Sequence, residues 1–226
     1  SGLVRAGKIR YWGLSNTPAW YVAKLVTLAA VRGLPRPLAL QYFYSLVSRE
    51  VEAEHLPLAR HMGLGMMPWS PLAYGLLTGK YDRAAVESAG PRAGGLPDKP
   101  GDSEGRAETD KRLDGANPFG DALFTARNWG IVEALKAVAH ELGEAPARVA
   151  LAWVLSRPGV DTALMGVSRP SQVTENISAT DLRLPTEQIA ALDAASAPDA
   201  AMIYGLFTPE ARQNLVFGGA AVAGRD

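Results

Sequence analysis

The chain has 226 residues, enough to bury a substantial core, and its 23 lysines and arginines equal its 23 aspartates and glutamates. A formal net charge of zero argues against the broad electrostatic footprint that nucleic acid or an anionic membrane surface requires. The lack of cysteine excludes disulfides and thiol chemistry and is compatible with a reducing, cytoplasmic setting. No apolar run approaches the roughly 18 residues of a membrane span, and residues 1–8 have no apolar core of the secretory-signal kind. His55, His61 and His140 show no metal-ligand spacing, so no zinc site is expected.

In chain order, Ile9, Tyr11 and Trp12 favour a first strand within residues 7–12, leading into Gly13-Leu14-Ser15-Asn16-Thr17-Pro18. Asn16 or Thr17 before Pro18 reads as a helix start, and Val22, Leu25, Val26 and Ala29 recur at helical spacing until Gly33. Leu38 to Tyr42 reads as a second strand with the polar Gln41 near its end. Ser48 is a candidate cap for the helix that follows, with Glu50, Glu52 and Glu54 in its early turns, and Pro57 predicts a kink or a restart. After Gly63, the apolar run Gly65–Pro68 reads as a third strand buried on both faces.

That strand opens into Trp69-Ser70-Pro71-Leu72-Ala73-Tyr74-Gly75-Leu76-Leu77-Thr78-Gly79-Lys80-Tyr81. An apolar run breaking into a Gly/Ser/Pro loop can turn backbone N–H groups toward a phosphate, and the aromatic at the strand's end offers a flat face to a planar ring. Residues 82–120 lack apolar periodicity and read as one long loop. A helix resumes near Leu123, with Ile131, Leu135 and Val138 on one stripe, and stops at Gly143. Another runs from Pro146 through Val149, Ala150, Trp153 and Val154. Residues 160–165 read as a fourth strand, breaking into Gly166-Val167-Ser168-Arg169-Pro170 and a helix with Gln172, Glu175 and Asn176. A last helix, with Thr186 as its cap, buries Ile189 and Leu192, and a tail begins near residue 198.

Strands alternating with helices predict parallel pairing and right-handed crossovers in a single α/β domain spanning residues 1–226. The polar and glycine residues gather at the strands' C-terminal ends: Ser15-Asn16, Gln41, Trp69-Ser70 and Gly166-Ser168-Arg169. In a (β/α) barrel that edge builds the active site, but four strands are half of the eight that close one.

Gly-Lys-Ile-Arg-Tyr-Trp-Gly-Leu-Ser-Asn at 7–16, Leu40-Gln41, the Gly65–Tyr81 stretch and Gly166-Val-Ser-Arg-Pro-Ser-Gln-Val-Thr-Glu-Asn176 together resemble the aldo-keto reductase superfamily, over residues 2 to about 196. The resemblance implies the C-terminal half of a (β/α)8 TIM barrel. About four βα units would correspond to strands 5–8, with parallel strands and outer helices. It implies an NADP(H) site on the rim. Ser15, Asn16 and Gln41 fall where the family binds the nicotinamide carboxamide, and Trp69 where an aromatic stacks on the nicotinamide ring. Ser70, Leu72 and Gly75 match the pyrophosphate segment, and the 82–120 loop lies where the family often folds over the cofactor. Gly166, Ser168, Arg169, Gln172, Glu175 and Asn176 match the group around the adenosine and its 2′-phosphate, with Arg169 the phosphate partner.

The family's Asp/Tyr/Lys/His tetrad lies on its first four strands, so no residue of this chain is assigned to it, and the chain reads as a truncated, cofactor-binding half. Three functions follow. One is an NADPH-dependent carbonyl (aldehyde or ketone) oxidoreductase whose chemistry needs the missing half. A second is a non-catalytic, regulatory NADP(H)-binding relative. The third is a serine-dependent esterase, for which Gly13-Leu14-Ser15-Asn16-Thr17 comes near a nucleophile elbow but carries Thr17 where glycine is needed. A small carbonyl substrate is the expected ligand of the active form, and a homodimer is expected to cover the open half barrel.

Overall fold

Apolar strands separated by amphipathic helices are built to pair in parallel, and the computed structural model, which describes residues 1–90, 113, 119, 121–199, 201–206 and 208–220, pairs them so. A short helix, α1 (Gly2–Arg5), precedes β1 (Gly13–Ser15), α2 (Ala19–Val31), β2 (Ala39–Phe43), α3 (His55–Met62) and β3 (Gly65–Trp69). Next come α4 (Arg83–Ser88), α5 (Ala126–Leu142), α6 (Pro146–Leu155), α7 (Pro170–Ile177) and α8 (Thr186–Ala195), which complete the first of two compact units, Ser1–Ser196. The second unit, Ala197–Asp226, contains α9 (Met202–Gly205), α10 (Pro209–Ala211) and a π-helical turn at Arg212–Val216, with Met202, Ile203, Leu215 and Val216 exposed.

The sheet order is β1-β2-β3, all parallel, with Ser15 opposite Gln41, Gln41 opposite Met67, and Phe43 opposite Trp69. Leu40, Tyr42, Met66 and Pro68 are buried, whereas Gln41, Phe43, Met67 and Trp69 are only half-buried. β3 is therefore not buried on both faces. Alternate residues of β2 and β3 point into the core, and the other set lines a more open face.

The first strand starts later than residues 7–12 predict. Among the described residues Ile9 and Tyr11 have no strand partner, and both are exposed, because pairing begins only at Gly13. A Cβ on Gly13 would stand 2.5 Å from the Ala39 carbonyl oxygen, so this close approach of backbones admits only glycine. Residues 160–165 also depart from a regular strand. They touch β3 at two isolated parallel bridges, Met66 with Val160 and Trp69 with Leu164, so four residues advance on one side against three on the other. That is a bulge, and the Asp161 carboxylate fills it by accepting the Met66 N–H at 2.9 Å.

Ser48 does not cap a helix. It closes a tight turn with Ser45, a 3₁₀ turn covers Glu50–Glu52, and α3 restarts at His55. Pro57 thus falls in the first turn of α3, where its missing N–H has no helical acceptor to lose. The 82–120 loop holds α4, capped by Asp82 through its bond from the Ala85 N–H. Residues 91–112, 114–118 and 120 of that loop lie outside the described residues. Leu113 is fully buried, and its N–H donates to the Tyr81 hydroxyl at 2.8 Å.

A polar lock joins the β2–α3 connection to α6 and α8. The buried Trp153 indole donates to Asp193 at 2.9 Å, and the Arg49 and Arg157 guanidinium groups lie 5.1 and 4.7 Å from its ring centroid. Arg157 pairs with Asp193 at 3.0 Å; Arg49 pairs with Glu52 at 2.8 Å and bonds the Asp193 carbonyl and the Ser196 hydroxyl. Burial works against the Arg49 charge, but Glu52 and Asp193 outweigh it and raise its pKa. Tyr44 donates to Glu52 at 2.6 Å, and burial, then the Glu52 carboxylate, drives its phenol far above the ordinary range.

Because the folded state holds the Tyr44 proton more tightly than the unfolded chain, stability is full below the unfolded phenol pKa and declines as pH rises past about 10. Each such group contributes a slope of up to about 1.4 kcal/mol per pH unit. Urea melts of Tyr44→Phe across that alkaline range should show a shallower decline than the parent, together with a neutral-pH loss of about 1 kcal/mol from the missing hydrogen bond.

Candidate functional site at the C-terminal ends of the strands

The parallel register carries Ser15, Gln41, Phe43 and Trp69 onto one face near the C-terminal ends of the strands. Asn16 follows β1 with φ of 49°, a left-handed conformation that asparagine tolerates better than most residues. Its N–H donates to the Gln41 carbonyl at 3.2 Å, and its Oδ1 accepts the Trp69 indole N–H at 3.1 Å. Three of the residues singled out from the sequence are thus joined directly, and Ser15, opposite Gln41, completes the group.

Trp69 belongs to an aromatic cluster. Phe43 stacks on it with centroids 4.9 Å apart and planes at 29°, and Tyr74 meets its edge at 6.4 Å. Phe119 closes the cluster, 5.5 Å from Phe43 and 4.8 Å from Tyr74. The Trp69 plane is held by stacking on Phe43 and by its bond to Asn16.

Beyond Trp69 the backbone is strained. Ser70, Ala73 and Tyr74 have φ of 53°, 48° and 55°, and Gly75 has 94°. Such conformations persist where neighbours over-determine them, and they cluster at functional sites. Here the Ser70 carbonyl accepts from Ala73, the Ser70 hydroxyl from Tyr74, and the Leu72 carbonyl from both Gly75 and Leu77. The backbone donors of Ala73, Tyr74, Gly75 and Leu77 are thus engaged inside the loop. The positive charge beside it is Lys80: a Cβ on Gly75 would stand 3.0 Å from Lys80 Cε and 3.3 Å from Nζ. Lys80 went unnoticed in the sequence, although a lysine closing a glycine-rich loop is a recurrent phosphate-binding arrangement.

The second group is built on α7. Gln172 Oε1 accepts the Ser168 N–H at 2.8 Å, the Ser168 hydroxyl at 3.2 Å and the Arg169 N–H at 3.4 Å, so this side chain organises the helix start. Arg169 is the N-cap residue and is exposed, as are Gly166 and Ser168. Glu175 is exposed and Asn176 half-buried on the following turn of the same helix.

The histidines lie on helices, His55 and His61 on α3 and His140 on α5. His55 Nε2 is 3.1 Å from the Thr17 carbonyl, so its bond goes to backbone and not to a serine hydroxyl. The Tyr42 phenol donates to that same carbonyl at 2.5 Å, and burial lifts its pKa above the ordinary value. Among the described residues no group of three or more His, Asp or Glu could hold a metal ion, and no helix is long and apolar enough to cross a membrane.

The chain is an α/β unit of parallel strands with polar residues gathered near the strands' C-terminal ends, and comparison with known proteins gives its family. The aldo/keto reductase family model matches residues 1–197, and the chain belongs to that family. It is 35% identical over 173 residues to a probable voltage-gated potassium channel subunit beta of Arabidopsis thaliana, covering 76% of this chain and 47% of that protein. It is 35% identical over 184 residues to the uncharacterized oxidoreductase YrpG of Bacillus subtilis (strain 168), covering 81% and 48%. It is 30% identical over 199 residues to Protein tas of Escherichia coli (strain K12), covering 84% and 49%. The chain spans about half the length of these curated relatives.

Gly75 tests whether the strained loop needs its glycine. Gly75→Ala places a Cβ at positive φ and against the Lys80 side chain, and a loss of about 1–2 kcal/mol is expected in thermal or urea unfolding.

Proposed function

We propose that this chain carries the NADP(H)-binding part of a carbonyl-reducing site, arranged as the strand 5–8 half of a (β/α)8 barrel. The observation that supports this most is the Asn16–Trp69 bond, which sets a hydrogen-bonding amide beside a fixed aromatic plane. The donor set suits the cofactor. Asn16, Gln41 and Ser15 offer amide and hydroxyl groups to a carboxamide, the Trp69 plane suits a nicotinamide, and Lys80 and Arg169 offer cations to phosphates. The Lys80 side chain lies against Gly75, in the loop that Ser70 begins.

The cofactor, when bound, supplies a hydride for a carbonyl carbon. The residues of this chain bind and orient: Asn16 uses its carbonyl on Trp69 and keeps its amide N–H for an acceptor, and Trp69 holds one face of the site apolar. Proton delivery to the carbonyl oxygen is assigned to none of these residues. A second reading is a regulatory relative that binds NADP(H) without turnover; the name of one similar protein, a probable voltage-gated potassium channel subunit beta, is that of a subunit of a larger assembly.

Titration with NADPH should change tryptophan fluorescence, and Trp69→Phe should remove most of that change. Arg169→Ala should raise the NADPH dissociation constant about 10- to 100-fold while leaving NADH unchanged, the effect of losing a charge-assisted phosphate contact. Reduction of an aldehyde by the same preparation supports the first reading, binding without reduction supports the second, and no binding rejects both.

The open edge of β1 belongs to the same proposal. Among the described residues β1 pairs on one side only, Tyr11 just before it is 72% exposed, and we propose that a second copy covers this edge. Sedimentation at micromolar concentration is expected to give a dimer of the 226-residue chain, and a compact monomer would reject this.

A further inference from the structure

The turn that presents Asn16 is gripped from several sides. Asn16 N–H reaches Gln41 O, and the Thr17 hydroxyl turns back to the Ser15 carbonyl at 3.2 Å. The Thr17 carbonyl accepts from two further side chains, the Tyr42 phenol and the His55 imidazole. A carbonyl can only accept, so Nε2 carries the proton of this contact. Its other nitrogen, Nδ1, is buried with no partner among the described residues.

Packing alone does not account for this histidine. A leucine or phenylalanine at residue 55 would fill the space beneath Tyr42, whose ring lies 4.4 Å from the imidazole at 49°, without burying an unpaired polar atom. What an apolar residue would lack is the bond to Thr17. Tyr42 is placed for the same contact by the strand itself: β2 directs Gln41 to the open face and Tyr42 to the core face. β2 therefore holds the turn on both of its sides, by a backbone carbonyl on one and a phenol on the other. The left-handed conformation of Asn16, which asparagine tolerates better than most residues, is held here by these contacts.

We propose that Tyr42 and His55 are positioning residues for the rim: by holding the Thr17 carbonyl together they fix the left-handed turn that aims Asn16 at its ligand. The part of this that concerns the ligand rests on the reading of the rim as the nicotinamide carboxamide site. The clamp itself stands on the geometry of the chain alone.

Two readouts separate these layers. In the ligand-free protein, the Trp69 indole N–H, assigned with Trp69→Phe, reports on Asn16 through their shared bond. Tyr42→Phe and His55→Leu should each speed its hydrogen exchange about tenfold, as expected when one net hydrogen bond no longer holds the turn. His55→Gln, which keeps a donor near the Nε2 position, should restore the slow exchange. Unchanged exchange in Tyr42→Phe and His55→Leu, in proteins that melt cooperatively, overturns the clamp.

In binding, the same two variants should weaken NADPH about tenfold and leave 2′-phospho-adenosine diphosphate ribose, which lacks the nicotinamide, unchanged. Equal weakening of both ligands overturns the positioning role in favour of a general structural one. If the parent protein binds neither ligand, the cofactor reading fails, and the indole exchange still decides whether the clamp exists.

Discussion

Parallel pairing of β2 between β1 and β3 is the constraint on which the rest of this molecule depends. Its register sets Ser15 beside Gln41 and Phe43 beside Trp69, and so chooses which side chains share a face. Because side chains alternate along a strand, a slip of one residue would exchange Gln41 for Tyr42 and bury the wrong set. Gly13 protects that register, since any larger residue would collide with the Ala39 carbonyl and push β1 away. Rim, aromatic cluster and clamp all follow from three strands lying in one alignment.

The helices are tied to that sheet by a different kind of contact. Asp193 on α8 receives the Trp153 indole from α6 and the Arg157 guanidinium just beyond it, and Arg49 reaches the same residue from the connection after β2. Removing Asp193 would leave the Arg49 and Arg157 guanidinium groups, 10% and 13% exposed, without the carboxylate they share, and that is costly. Directional contacts of this sort do less for stability than apolar burial, but they fix how α8, which packs on α5, is tied to the end of α6.

The elements most legible in the sequence are those whose signals are local. The stripe of Ile131, Leu135 and Val138 in α5 and the proline start of α6 place those helices with little error. The first strand was less legible because Ile9 and Tyr11 have strand-forming side chains but no neighbour to pair with among the described residues, and propensity yields to tertiary context. The Ser15, Asn16, Gln41 and Trp69 group could be named from motifs, but the bonds joining it are made between residues distant in sequence. Lys80 left a local trace in its glycine-rich stretch. Tyr42 and His55 left none, because nothing in a linear chain announces that residues 42 and 55 will meet the carbonyl of residue 17.

The bulge at residues 160–164 bears on how the protein behaves in a crowded solution. A regular strand beside β3 would present a straight row of amide and carbonyl groups, the template on which other chains add strands. The extra residue breaks the spacing of that row, and the Asp161 carboxylate takes a bond that a backbone carbonyl would otherwise make. A mismatched repeat of this kind opposes the regular strand addition that leads to aggregates. The irregularity at residues 160–164 therefore interrupts the ladder beside β3 where a regular strand would have continued it.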